Sequence, residues 1–199
     1  MHLKIGITGN IGSGKSTFSE FVSELGYPVL LADDISKELL SKDADVKSEV
    51  INHIGAQSYS GEKINNPYIA SIVFSDQKKL KKLNSILHPK VRLKIDTLFK
   101  NLFKKNNIVF VEAALIYESK FEKMFDYIVL ITASYDVRMQ RSIKNKHISK
   151  SDFVNRDNNQ IKQELKQNKA DFTFSNDGTK NELKKKAQLL IKILESKVQ

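Results

Sequence analysis

Apolar positions along this chain keep two rhythms. Short, mostly apolar runs at Leu3 to Ile7, Val29 to Ala32, Ile108 to Val111 and Tyr127 to Ile131 have the length and branched content of buried strands. Between them the spacing changes to three and four. Phe18, Phe21, Val22 and Leu25 mark a helix that Gly26 stops; Ile35, Leu39 and Leu40 mark a second. A helix from Ser134 passes through Val137, Met139 and Ile143, and Leu183, Ala187, Leu190, Ile191 and Leu194 form a closing one. Residues 170–176 alternate as a last strand before the turn Asp177-Gly178. Strands separated by helices imply parallel pairing and an α/β fold.

Residues 43 to 103 break that alternation. Val46, Val50, Ile51 and Ile54 predict a short amphipathic helix. Ile69, Ile72 and Val73 begin another segment, continued by Leu80, Leu83, Ile86 and Leu87. Val91, Ile95, Leu98 and Leu102 mark a third helix with Pro89 in its first turn. The stretch from Ser58 to Pro67, with Gly61 and two asparagines, reads as a loop, and no strand is expected in this region. A mainly helical insertion in an alternating chain suggests a substrate-binding subdomain. The polar segment from Asn145 to Asn159 reads as a flap hinged on the core.

The first strand and first helix enclose Gly9-Asn10-Ile11-Gly12-Ser13-Gly14-Lys15-Ser16, which fits G-x-x-x-x-G-K-[ST] at every fixed position. Glycines let successive N–H groups turn inward around an anion with no Cβ in the way. The helix beginning near Lys15 adds unpaired N–H groups and the positive end of its dipole. Lys15 supplies a mobile charge for the outer phosphates, and the Ser16 hydroxyl is a hard oxygen suited to Mg²⁺. Strand, glycine loop and helix together predict a nucleoside triphosphate site.

Composition narrows the classes. A chain of 199 residues with 40% apolar content suits one domain with insertions. It contains no cysteine, which excludes disulfides and thiolate metal sites and fits a reducing compartment. No run reaches the length of a membrane span, and the first apolar run meets the glycine loop too soon for a signal peptide. A cytoplasmic protein without membrane partners is expected. The net charge of +10 invites a nucleic-acid reading, but 29 of the 33 basic residues are lysines spread along helix faces. A nucleic-acid groove pairs clustered arginine with stacking aromatics, so solvated helix faces account for the charge better. Asn168-Lys169-Ala170-Asp171 spells the guanine motif N-K-x-D, yet it precedes a strand rather than following one, and D-x-x-G is missing. A GTPase switch and a nucleic-acid-dependent ATPase are both disfavoured. A kinase of a small metabolite or nucleoside monophosphate and a non-catalytic nucleotide-binding module stay open.

A few side chains stand out as chemistry. Asp33, at the end of the second strand, suits a general base for a substrate hydroxyl, or equally a helix N-cap. His88, before Pro89, is expected to be held out of helical geometry, where it could meet an anionic substrate or simply pack. Glu112 closes the third strand, the pattern of an acid that holds Mg²⁺ through water or activates that water, though many strands end in an acid. Arginine occurs only at 92, 138, 141 and 156. Arg141, just ahead of the flap, is positioned to be brought onto a triphosphate.

The run Ile7 to Thr17, then Leu25-Gly26, Ala32-Asp33 and Leu87-His88-Pro89, resembles the dephospho-coenzyme A kinase family. The likeness continues through Leu115-Ile116-Tyr117-Glu118, Arg141, Arg156 with Gln160, and Ser175-Asn176-Asp177-Gly178, so it spans nearly the whole chain. It implies a P-loop three-layer core built on a mainly parallel sheet (residues 1–34, 106–135 and 165–199), a helical coenzyme A-binding region (35–105) and a small helical lid (136–164). It implies transfer of the ATP γ-phosphate to the ribose 3′-hydroxyl of dephospho-coenzyme A, the last step of coenzyme A biosynthesis, with Mg²⁺ as cofactor. A monomer or weak homo-oligomer is expected.

Carried over onto matched positions, the resemblance implies that Asp33 takes the hydroxyl proton and that Asn10, Ile11, Gly12, Ser13, Gly14, Lys15, Ser16, Thr17, Arg141 and Asn176 bind ATP. It likewise implies that Ser16 meets the metal and that His88, Glu118 and Arg156 join Asp33 in binding the acceptor. Four positions depart from the family pattern. Leu31 replaces the first acid of Asp-Ala-Asp, Ala114 replaces a proline, and Asn145-Lys146 stand where the lid commonly carries Arg-Asp.

Overall fold

The computed structural model describes residues 1–146 and 148–198; His147, inside the stretch marked as lid, and Gln199 lie outside the described residues, as does the side chain of Lys146. In chain order the elements begin with β1 (Leu3–Thr8), α1 (Lys15–Glu24), β2 (Val29–Leu31), α2 (Ala32–Lys42) and α3 (Ala44–His53). There follow β3 (Tyr59–Ser60), β4 (Lys63–Ile64), α4 (Asn66–Ser75), α5 (Gln77–Leu102) and β5 (Ile108–Glu112). The chain continues with β6 (Tyr127–Thr132), α6 (Tyr135–Lys146), α7 (Lys150–Asn158), α8 (Gln163–Gln167), β7 (Phe172–Ser175) and α9 (Lys180–Val198). Contacts divide it into two units, Met1–Leu31 with Phe99–Gln199, and Ala32–Leu98.

The first unit holds a parallel sheet in the order β2-β5-β1-β6-β7. β1 is central, with Ile5 opposite Phe110 on one side and Tyr127 on the other. Leu3, Ile5 and Ile7 share a face, as a period of two requires, and join Phe18 and Val22 of α1 with Leu183, Ala187, Leu190, Ile191 and Leu194 of α9 in one core. α1 closes with Gly26 N–H on the Ser23 carbonyl (2.9 Å) and Tyr27 N–H on that of Val22 (3.4 Å). Because every pairing is parallel, Thr8, Glu112, Thr132 and Ser175 all end at one edge of the sheet, where α/β folds collect their reactive groups.

β2 differs from expectation. It is an edge strand rather than a buried one, with Leu31 40% exposed, and it stops at Leu31. Ala32 already belongs to α2, so Asp33 and Asp34 occupy the first turn of a helix instead of the end of a strand. Carboxylates there complement the helix dipole.

The second unit has its own core of Val46, Val50, Ile54, Tyr59, Ile69, Val73, Leu83, Ile86 and Leu87. Two readings of this region need correction. The stretch 58–67 contains a small antiparallel hairpin, β3 with β4, rather than loop alone. Its strands are two residues long, too short to leave an alternation in the sequence. Pro89 does not open a helix either; it lies inside α5. Leu83, Leu87, Val91 and Ile95 repeat every four residues through the proline, and all are buried. That continuous stripe outweighs the cost of a helical proline, about 3 kcal/mol. His88 is therefore helical and half-buried, not held aside. Burial, then the charge of Arg92, keeps its imidazole below the ordinary histidine range.

α3 is capped by Asp43, which accepts from Val46 N–H (2.9 Å) and from Lys90 Nζ (2.9 Å). The Lys90 hydrogen bond, then the capping N–H, holds this carboxyl below its usual range. A depressed folded value means its contribution is present above about pH 4 and is lost as pH falls through the folded pKa. Asp43→Ala is expected to cost about 1–2 kcal/mol at neutral pH, read by urea unfolding. The gap from wild type should narrow in acid; a pH-independent gap would assign the loss to something other than this carboxylate.

Candidate active site

The loop between β1 and α1 is shaped by where its carbonyls go. Gly12 and Gly14 take positive φ of 78° and 91°, and a side chain at either would collide, with the Arg138 carbonyl and the Asn176 amide respectively. The Asn10 carbonyl accepts from Ser13 N–H (3.0 Å), and that of Ile11 from the Arg138 guanidinium (3.3 Å). Ser13 C=O accepts from Asn176 Nδ2 (2.8 Å), and Gly14 C=O from Phe18 N–H (3.0 Å). With these four oxygens occupied, the turn presents N–H groups. Gly14 caps α1 with no side-chain acceptor, so the first N–H groups of that helix are left for a ligand.

A cavity of about 260 Å³ opens over this turn. Of the residues picked from the sequence, Asn10, Gly12, Ser13, Gly14, Lys15, Ser16, Thr17, Arg141 and Asn176 line it together. Asn145, Gly178, Lys180 and Leu183 complete the wall, and sequence reading had named none of these four as binding residues. Asn176 is fixed by continuation of the sheet, its N–H on Thr132 C=O (2.7 Å). The next residue, Asp177, accepts from Ser134 N–H (2.7 Å), a bond that lowers its pKa. Arg141 reaches across from α6 and donates to the Asn176 carbonyl (2.7 Å).

Beneath the loop lies Glu112. Its Oε1 accepts from the Ser16 hydroxyl (2.9 Å) and pairs with Lys15 Nζ (3.1 Å); Lys15 and Glu112 are 8% and 7% exposed. An acid at the carboxyl end of a buried strand was the available signal, but its two partners come from another part of the chain. Ser16 Oγ and Glu112 Oε1 are two hard oxygens side by side, a donor pair that suits Mg²⁺.

The other candidates sit elsewhere. Ile11 is tied by its backbone N–H to Gln160 Oε1 (2.8 Å). Glu118, in the turn after β5, accepts from Ile161 N–H (2.8 Å) and pairs with the fully buried Lys166 (2.8 Å). Arg156 is exposed on α7. Asp33, exposed in the first turn of α2, and His88 within α5 belong to the second unit. Arg138 turns from the cavity to Asp157 (2.5 Å), with its guanidinium over Tyr135 and Phe153. The guanine-motif residue Asp171 is occupied by the sheet, accepting from Ile128 N–H (2.7 Å).

Comparison with known proteins agrees with this geometry. The family model described as dephospho-CoA kinase matches residues 3–182. The chain is 35% identical over 186 residues to the dephospho-CoA kinase of Aquifex aeolicus (strain VF5), covering 93% of this chain and 94% of that one. It is 32% identical over 180 residues to that of Bacteroides fragilis (strain YCH46), covering 90% and 87%. The solved dephospho-CoA kinase from Campylobacter jejuni aligns over the full length of both chains with a TM-score of 0.74 and 26% identity. A parallel sheet with a phosphate cradle at its central strand, together with a match across nearly all of its length, places this chain in the dephospho-CoA kinase family.

Proposed function

We propose that this protein transfers the γ-phosphoryl group of ATP to the ribose 3′-hydroxyl of dephospho-coenzyme A, giving coenzyme A and ADP. The observation that carries the reading is the cavity over the phosphate loop, lined by Lys15 and Ser16, both of which contact Glu112 behind them. A triphosphate seated there draws Lys15 from Glu112 onto its outer oxygens. Ser16 and Glu112 would hold Mg²⁺, which when bound neutralises phosphate charge. Arg141 and Asn176 border the nucleotide. Asp33 accepts the 3′-hydroxyl proton as that oxygen attacks the γ-phosphorus and the bond to ADP breaks. His88, Glu118 and Arg156 are assigned to binding of the acceptor.

In a loose transition state the protein's work is positioning and charge neutralisation, which a preformed cradle supplies. Residues 1–34, 106–135 and 165–199 act as the nucleotide core, 35–105 as the acceptor region and 136–164 as a lid that keeps water from the phosphoryl group. The protein works in the cytoplasm as a monomer or weak homo-oligomer, without nucleic-acid or membrane partners. Among the described residues no helix is long and apolar enough to cross a membrane.

Purified protein with Mg-ATP and a panel of dephospho-coenzyme A, nucleoside monophosphates, shikimate and gluconate tests the reading. Stoichiometric ADP and 3′-phosphorylated product with dephospho-coenzyme A alone is the expected result. Turnover of another acceptor in its place, or ADP with none, would overturn it.

A further inference from the structure

The rim of the phosphate loop is held from outside by a chain of polar contacts whose residues take no direct part in the chemistry proposed above. Ile11 has both backbone groups occupied, its N–H by Gln160 Oε1 (2.8 Å) and its carbonyl by Arg138 (3.3 Å). The Asn10 side-chain amide donates to the Ile161 carbonyl (3.1 Å), and the Ile161 N–H donates to Glu118, the partner of buried Lys166. Gln160 and Ile161 lie in the link between α7 and α8, and Arg138 is joined to Asp157 on α7. Two neighbouring loop residues and two neighbouring link residues are thus laced together, more than a hundred positions apart in sequence.

We propose that Gln160 is a positioning residue for phosphoryl transfer: through the Ile11 N–H it sets the rim of the cradle, and it couples that rim to α7. The need follows from the loop's composition. Gly12 and Gly14 give the turn its shape and also leave it free to take others. A cradle acts through preorganised donors, so something must remove that freedom before the nucleotide arrives. Gln160 is suited because its acceptor is neutral. A carboxylate at the same place could hold the same N–H but would set a negative charge beside an anion site. The inference rests on the nucleotide-site reading above.

Gln160→Met keeps length and volume and removes the acceptor. It is expected to speed exchange of the Ile11 amide proton at least tenfold in ligand-free protein, observed by NMR. The fall in kcat/KM for ATP should be about 10- to 100-fold, with the melting temperature within a few degrees of wild type. Gln160→Glu keeps the acceptor. It should retain Ile11 protection within about threefold of wild type while weakening ATP binding in a manner that added charge, not lost structure, explains. Wild-type exchange in the Met variant, or equally fast exchange in both variants, would overturn the proposal, as would unchanged kinetics in the Met variant. Amide exchange and ATP affinity are read without any acceptor. A wrong assignment of dephospho-coenzyme A would therefore show in the acceptor panel and leave these two measurements intact.

Discussion

Lys15→Ala is expected to lower kcat/KM on the order of a thousandfold and to weaken ATP binding at least tenfold. Lys15 is 8% exposed and lines the cavity with its ammonium 3.1 Å from Glu112. A short side chain there takes away the lysine that lines the cavity and pairs with Glu112. It also strands Glu112, a 7%-exposed carboxylate left with the Ser16 hydroxyl. Stranding a buried charge costs folding stability, about 3 kcal/mol or more. A loss of activity could then be mistaken for a loss of fold, and a second change separates them. Adding Glu112→Gln to Lys15→Ala removes the stranded charge, so stability should largely return while ATP affinity and turnover stay low. Calorimetric titration with Mg-ATP, thermal unfolding and a coupled ADP assay give the three readings. Turnover near wild type in Lys15→Ala would contradict the phosphate-cradle assignment, and recovery of turnover in the double variant would trace the loss to folding.

The parts of this protein that were legible in sequence are those whose causes are contiguous. The phosphate loop is eight successive residues with strict demands on backbone angle, so Gly12 and Gly14 announce it. The central strands announce themselves because burial on both faces leaves few polar positions, Lys4 of β1 being half-buried and the others closing their strands. Where cause and effect lie far apart, sequence is a poorer guide. Glu112 was visible as an acid at a strand end, but its bonds to Lys15 and Ser16 depend on β5 lying beside β1. Arg138 and Arg141 share one helix and one residue type, yet Asp157 draws the first away and the Asn176 carbonyl holds the second at the cavity. Pro89 shows a local rule losing to a longer one, since the four-residue apolar stripe through Val91 and Ile95 carries α5 across it. Leu31 shows the reverse limit, because an edge strand of three residues reads the same as a buried one until its neighbours are known.

Asp33→Asn should lower kcat by about two to four orders of magnitude and leave ATP affinity within about twofold. The asparagine has the same shape and can still accept a hydrogen bond, but it cannot carry away a proton. Its structural cost is small, because Asp33 is exposed in the first turn of α2, where a carboxylate gains about 0.3–1 kcal/mol from the helix dipole. Asp34 supplies the control. It shares the first turn, is also exposed, and pairs with Lys37 at 2.8 Å. Asp34→Asn therefore removes an equal charge from the same helix end and should leave kcat within about twofold, since a surface pair of this kind contributes little. If the two variants lose turnover alike, helix electrostatics and not proton transfer accounts for the effect. If Asp33→Asn keeps more than about a tenth of wild-type kcat, the hydroxyl proton leaves by another route and the base must be sought elsewhere.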